Sequence, residues 1–70
     1  MEITIYSVPH CSMCRMIKQK LNEKQIPFAD IEDEEKTLEL GMKHSILSAP
    51  IVEIDGEFFN VQQAGRKLSL

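Results

Sequence analysis

Between Ile3 and Leu21 the side-chain period of the chain changes from two to between three and four. Ile3 and Ile5 alternate with Glu2 and Thr4, the pattern of a strand with one face against a core. Pro9 has no N–H to give a ladder and stops that run. Cys14, Ile17 and Leu21, flanked by Met13 and Met16, then form a stripe down one side of a helix. Arg15, Lys18, Gln19 and Lys20 fill most of the remaining surface. A strand over residues 2–6 and a helix over residues 12–23 follow, joined by a tight turn. The only two cysteines, Cys11 and Cys14, stand at that turn.

Pro27 limits the helix, and Ile26 to Ile31 read as a second strand. Strand, helix, strand is a βαβ unit, so the two strands run parallel with a right-handed crossover. Asp33 is placed to cap a second helix, with Glu34 and Glu35 in its first turn, where negative charge suits the helix dipole. Leu38, Leu40 and Met42 follow, and Gly41 weakens the segment, so it closes there or at His44. Asp55-Gly56 between two strand-like runs signals a two-residue hairpin joining strands at 51–54 and 57–60. Val61 to Leu70 remain for a short helix over one face. The result is a small α/β fold, a four-stranded mixed sheet flanked by two to three helices, in one domain over residues 1–70.

A chain of 70 residues has a small core, rarely worth more than about 3–5 kcal/mol of net stability. A Cys11–Cys14 bridge closes too short a loop to restrict the unfolded chain much, so the pair points to chemistry rather than scaffolding. The formal net charge of −3 gives no electrostatic footprint for nucleic acid. No apolar run approaches the roughly 18 residues of a membrane span, and no basic segment followed by an apolar one suggests a secretory leader. A C-x-x-C pair in such a chain reads as cytosolic redox or metal chemistry.

The thiolate is the reactive form of cysteine, and a helix N-terminus favours it through unpaired N–H groups and the dipole. Cys11 stands at that position and Cys14 one turn inside. Cys11 is therefore the expected exposed nucleophile and Cys14 the buried resolving thiol. His10 adjoins Cys11 and is a candidate for tuning it, because histidine ordinarily titrates near neutral pH; the alternative is a plain loop histidine. Met13 is either an adaptable partner contact or one flank of the helix stripe. Zinc is disfavoured. Only His10 and His44 are available to complete a four-ligand set, and there is no second C-x-x-C. A non-catalytic binding module is disfavoured because both cysteines keep helix-opening spacing.

Ile3-Thr4-Ile5-Tyr6-Ser7, Cys11-Ser12-Met13-Cys14, Lys18, Leu21, Ser48-Ala49-Pro50-Ile51-Val52 and Asp55-Gly56 together resemble the glutaredoxin group of the thioredoxin fold. The resemblance covers nearly the whole chain. It implies the sheet order 2-1-3-4, a cis Pro50 facing the cysteines, and backbone groups of Ala49 offered to an extended substrate. Met13, Ala49 and Pro50 are then the expected substrate contacts. It also implies a cytoplasmic, monomeric thiol–disulfide oxidoreductase with no metal and no cofactor beyond the redox-active Cys11–Cys14 disulfide.

Glutathione-dependent glutaredoxins typically carry Cys-Pro-Tyr-Cys, a basic residue before it and a later Gly-Gly. Here the inner pair is Ser12-Met13, Val8 replaces the basic residue, and Asn60-Val61-Gln62 contains no glycine. The chain is more similar to the NrdH-type redoxins, which are recharged by thioredoxin reductase and pass electrons to ribonucleotide reductase. Their usual tryptophan- or serine-led tail is absent, and Phe59 to Gly65 stand in its place. Thioredoxin reductase and glutathione both remain open as the reductant of this protein-disulfide reductase.

Overall fold

A computed structural model describes residues 1–70. The strands are β1 (Ile3–Ser7), β2 (Ala29–Glu32), β3 (Ile51–Ile54) and β4 (Glu57–Phe59); the helices are α1 (Ser12–Glu23), α2 (Glu34–His44) and α3 (Val61–Lys67). The sheet order is β2-β1-β3-β4. β1 and β2 are parallel, and β3 runs antiparallel to both β1 and β4. This is the order that the resemblance implies, and the third helix is present.

Period-two alternation sorts the strand residues onto two faces. Ile3, Ile5, Val52 and Ile54 point to one face and meet Ile17 and Leu21 of α1, Ala64 of α3 and its C-cap Leu68. Ile5, Leu21, Val52 and Ala64 there are 0% exposed. Full burial of such an aliphatic side chain is worth about 1.5–3 kcal/mol, so most of the hydrophobic driving force sits in this layer. The register puts Tyr6, Ile31 and Ile51 on the other face, together with Glu53 and Phe58. Only α2 covers that face, through its buried Thr37, Leu40 and Gly41. The Tyr6 hydroxyl donates to Glu53 Oε1 at 3.0 Å, and the His44 ring stacks on Phe58 with centroids 4.0 Å apart.

α1 and α2 span the expected residues, and the strand β2 starts later than expected because of how the chain leaves α1. α1 ends with Gln25 in the left-handed region at φ 57°. Gln25 N–H donates to Asn22 C=O at 3.0 Å and Ile26 N–H to Leu21 C=O at 2.9 Å. This is the Schellman arrangement, with Ile26 packed against the core as its apolar contact. Ile26 and Phe28 are thereby used in capping and packing, and β2 begins only at Ala29 instead of at 26. α2 continues through Gly41 and closes the same way, with Ser45 at φ 57° and Ile46 N–H on Gly41 C=O at 2.9 Å. α3 repeats it at Ser69, also φ 57°, with Leu70 N–H on Gly65 C=O at 2.8 Å. None of the three left-handed positions is glycine. β4 stops at Phe59, not 60, because Asn60 caps α3 in a reciprocal box with Gln63.

Candidate active site

Cys11 is the N-cap of α1, with extended backbone at φ −112° and ψ 106°. Its Sγ accepts a hydrogen bond from Cys14 N–H at 3.1 Å. Its carbonyl accepts from Arg15 N–H at 3.2 Å and starts the helix. Pro9 and a left-handed His10 at φ 59° turn the chain from β1 into this cap. Cys11 and Cys14 are joined by a disulfide, with Cα atoms 5.3 Å apart. Cys14 is 1% exposed because it belongs to the apolar stripe of α1, whereas Cys11 is half-buried at the helix end. Cys11 is therefore partly open to solvent, and Cys14 is enclosed. The first turn of α1 holds no acidic residue to oppose a negative sulfur.

β1 ends under this loop at Ser7, which is 0% exposed. Ser7 Oγ donates to Asp30 Oδ1 at 3.1 Å. Lys18 Nζ donates to Asp30 Oδ2 at 3.1 Å and to Ser7 Oγ at 3.4 Å. The Ser7 carbonyl accepts from Asp33 N–H at 3.1 Å and from Thr37 Oγ1 at 3.3 Å. One residue thus ties the end of β1 to α1, β2 and α2, and no buried side-chain polar atom lacks a partner. The strand expectation stopped one residue short of this network. Its signal was present, because Ser7 continues the inward alternation of Ile3 and Ile5, and Lys18 lies one turn beyond Cys14.

The Ala49–Pro50 bond is cis, as the resemblance implies. The β1–β3 register pairs Tyr6 with Ile51, so the next step sets Pro50 beside Ser7. Pro50 is buried and Ala49 half-buried. Met13 is 40% exposed and lines a groove of about 500 Å³ between α1 and α3, with Met16, Val61, Lys20 and Arg66. Ala49 opens instead into a second groove, of about 440 Å³, between α2 and the loop that follows it. Met13 and Ala49 therefore flank the cysteine loop from separate grooves, and Pro50 lines neither. His10 is exposed, and the one hydrogen bond received by Cys11 Sγ comes from Cys14. On the α2 face, burial pushes the Tyr6 hydroxyl above its ordinary value of 10.0, and the hydrogen bond and charge of Glu53 add to the rise.

The glutaredoxin family profile matches residues 3–59. The N-acetyl-S-hydroxy-L-cysteine reductase of Bacillus subtilis is 38% identical over 55 residues, which cover 74% of this chain and 59% of that one. The chain thus aligns with little more than half of that relative. The glutaredoxin-like protein NrdH of Lactococcus lactis subsp. cremoris is 34% identical over 64 residues, 83% of each chain. Among solved structures, a thioredoxin-like protein superposes with a TM-score of 0.74 at 25% identity, over 99% of this chain and 100% of that one. Glutaredoxin 1 of Francisella tularensis superposes with a TM-score of 0.71 at 23% identity, over 97% and 94% of the two chains, and shares the fold. No helix here is long and apolar enough to cross a membrane. A partly open and an enclosed cysteine at a strand-to-helix junction, on this sheet order and with these relatives, place the chain in the glutaredoxin family, beside its NrdH-type members, as a thiol–disulfide oxidoreductase of the thioredoxin fold.

Proposed function

We propose that the protein is a cytoplasmic electron donor that reduces protein disulfides through Cys11 and Cys14, with ribonucleotide reductase as its acceptor and thioredoxin reductase as its source. The observation that carries the chemistry is the unequal exposure of the two cysteines at the start of α1. Once the pair is reduced, Cys14 N–H and the helix dipole favour the thiolate of Cys11. That thiolate attacks one sulfur of the substrate disulfide, whose S–S bond breaks and releases the first substrate thiolate. Cys14 then loses its proton and attacks Cys11 Sγ, which releases the second substrate thiol. Two electrons pass to the substrate, and the Cys11–Cys14 disulfide remains for the reductase to reopen. Met13 and Ala49 border the approach, and Pro50 supports it from below.

The choice of partners rests on similarity to NrdH-type relatives and on the residues around the pair. Ser12-Met13 and the capped Asn60-Val61-Gln62 stand where a glutathione-coupled glutaredoxin carries other residues. The test offers the oxidised protein to NADPH with thioredoxin reductase and, separately, to glutathione. Recovery of two thiols only with the reductase is expected, and recovery only with glutathione would assign the other pathway. In the same series, Cys14→Ser traps a mixed disulfide on Cys11 that intact-mass measurement detects. Full insulin reduction by Cys11→Ser would reverse the assigned roles.

The Bacillus subtilis relative favours a second reading, in which the acceptor is a small sulfenic acid. Cys11 would then displace hydroxide, leaving as water after protonation, and Cys14 would release the small thiol. Consumption of NADPH with a small sulfenate but not with insulin would select it.

A further inference from the structure

We propose that the groove between α2 and residues 46–49 docks the segment of a protein substrate beside its disulfide, and that this segment is apolar and carries lysine or arginine. The inference rests on the protein-disulfide reading above and adds where such a substrate sits and which chemistry it presents.

Leu38, Met42 and Leu47 are 63%, 71% and 99% exposed and lie together along this groove. Scattered surface leucines need no explanation, but three large apolar side chains in one concave patch mark a contact surface. Val8 and Ala49 join the patch to the cysteine loop, since Val8 lies three residues before Cys11. The loop also offers main-chain partners. None of the twelve backbone hydrogen bonds outside the helices and strands involves Leu47, Ser48 or Ala49. An extended segment can satisfy those groups by pairing along them while its side chains enter the groove. Such a segment passes Cys11 as it leaves Ala49.

The charge of the groove selects the occupant. Glu34 is the only charged residue in its walls. By helical spacing Glu35 and Glu39 adjoin the row of Glu34, Leu38 and Met42, whereas the exposed Lys36 and Lys43 fall on the far side of α2. The groove beside Met13 has the opposite sign, with Lys20 and Arg66 in its walls. Charge complementarity across a contact discriminates between partners and speeds encounter. The α2 groove therefore fits a basic, apolar segment and rejects an acidic one.

The test uses two synthetic peptides with one cysteine each, held as a mixed disulfide with thionitrobenzoate. Leucine and lysine flank the cysteine in one, leucine and glutamate in the other. Free dithiobis(nitrobenzoate) is the small control. Wild type should reduce the lysine peptide with about tenfold higher kcat/KM at low salt, and the advantage should shrink as salt rises. The combined variant Leu38→Gln, Met42→Gln, Leu47→Ser should lose about tenfold on the lysine peptide, the size of a contact worth more than 1 kcal/mol, with no change on the small control. Glu34→Gln, Glu35→Gln, Glu39→Gln together should abolish the preference between the peptides.

An apolar variant that reduces the lysine peptide as fast as wild type overturns the proposal and leaves the disulfide-reductase reading intact. An equal loss on the small control overturns it by placing the damage at the cysteines. A loss confined to recharging by thioredoxin reductase assigns the groove to the reductase instead. A wild-type dimer in sedimentation that the variant abolishes assigns it to a second copy. Wild type inert towards peptides and insulin alike removes the underlying reading as well.

Discussion

One face of the sheet carries two helices, α1 and α3, and the other carries α2 alone. On the first face, Ile3, Ile5, Val52 and Ile54 are enclosed with Ile17, Leu21, Ala64 and Leu68. On the second, Tyr6, Glu53 and Phe58 are only partly covered, and Leu38 and Met42 of the covering helix stay in solvent. The cysteine loop lies where the two layers meet, with Ser7 bonded to residues from both. In so small a domain, stability is concentrated in one layer. The other layer is left to tolerate a partner.

This comparison can be broken most directly at Leu21. Leu21→Ala removes a side chain with 0% exposure and should cost about 2–5 kcal/mol, enough to unfold most of a domain of this size in a guanidinium titration. Leu38→Ala, on the other side, should stay within about 0.5 kcal/mol. Equal losses would mean that both layers carry the fold.

Two helical glycines sharpen the contrast. A Cβ on Gly41 would lie 2.6 Å from the carbonyl oxygen of Ile46, which is backbone and cannot swing away, whereas a Cβ on Gly65 of α3 meets nothing within 4 Å. Alanine in place of a helical glycine ordinarily gains up to about 1 kcal/mol, and Gly65→Ala should show that gain as a raised Tm. Gly41→Ala should lose about 1–3 kcal/mol through overpacking. α2 is therefore seated closely over the small area it does cover, and a gain at both sites would refute that.

The smallest expected effect is confined to alkaline pH. The folded state raises the Tyr6 hydroxyl above 10.0 by burial first and by Glu53 second. The stability this gives is full below that value and is lost as pH rises through the higher folded one. Tyr6→Phe should remove this alkaline fall and leave the neutral-pH midpoint almost unchanged. An identical fall in both proteins would show that ionisation of Tyr6 is not its source.

Local chemistry made the cysteine site and the hairpin legible. The change of period at Pro9 located the start of α1, and Asp55-Gly56 located the turn between β3 and β4. The unequal burial of Cys11 and Cys14 followed from their places on the helix. The ends of α1 and α2 fell where expected, but the start of β2 was less legible because Gln25 takes a left-handed conformation that composition assigns to glycine. A left-handed non-glycine residue costs roughly 1–2 kcal/mol, so tertiary contacts such as those of Ile26 and Phe28 hold the turn and delay the strand. The Ser7–Lys18–Asp30 network needs residues from three elements, and neither period nor spacing announces such a convergence. The two grooves were hidden for the same reason: Met13 and Ala49 were expected to share one surface and open on different ones.

The sheet is also unfinished at both ends. β2 forms one border with four residues, all solvent-exposed, including Asp30 and Glu32. β4 forms the other with three. Each border still presents unpaired main-chain groups to the medium, the usual starting point for edge-to-edge polymerisation. A copy that tried to extend the sheet would gain only a few ladder bonds, and across β2 it would set carboxylate against carboxylate. Pairing between copies through either border is thereby disfavoured.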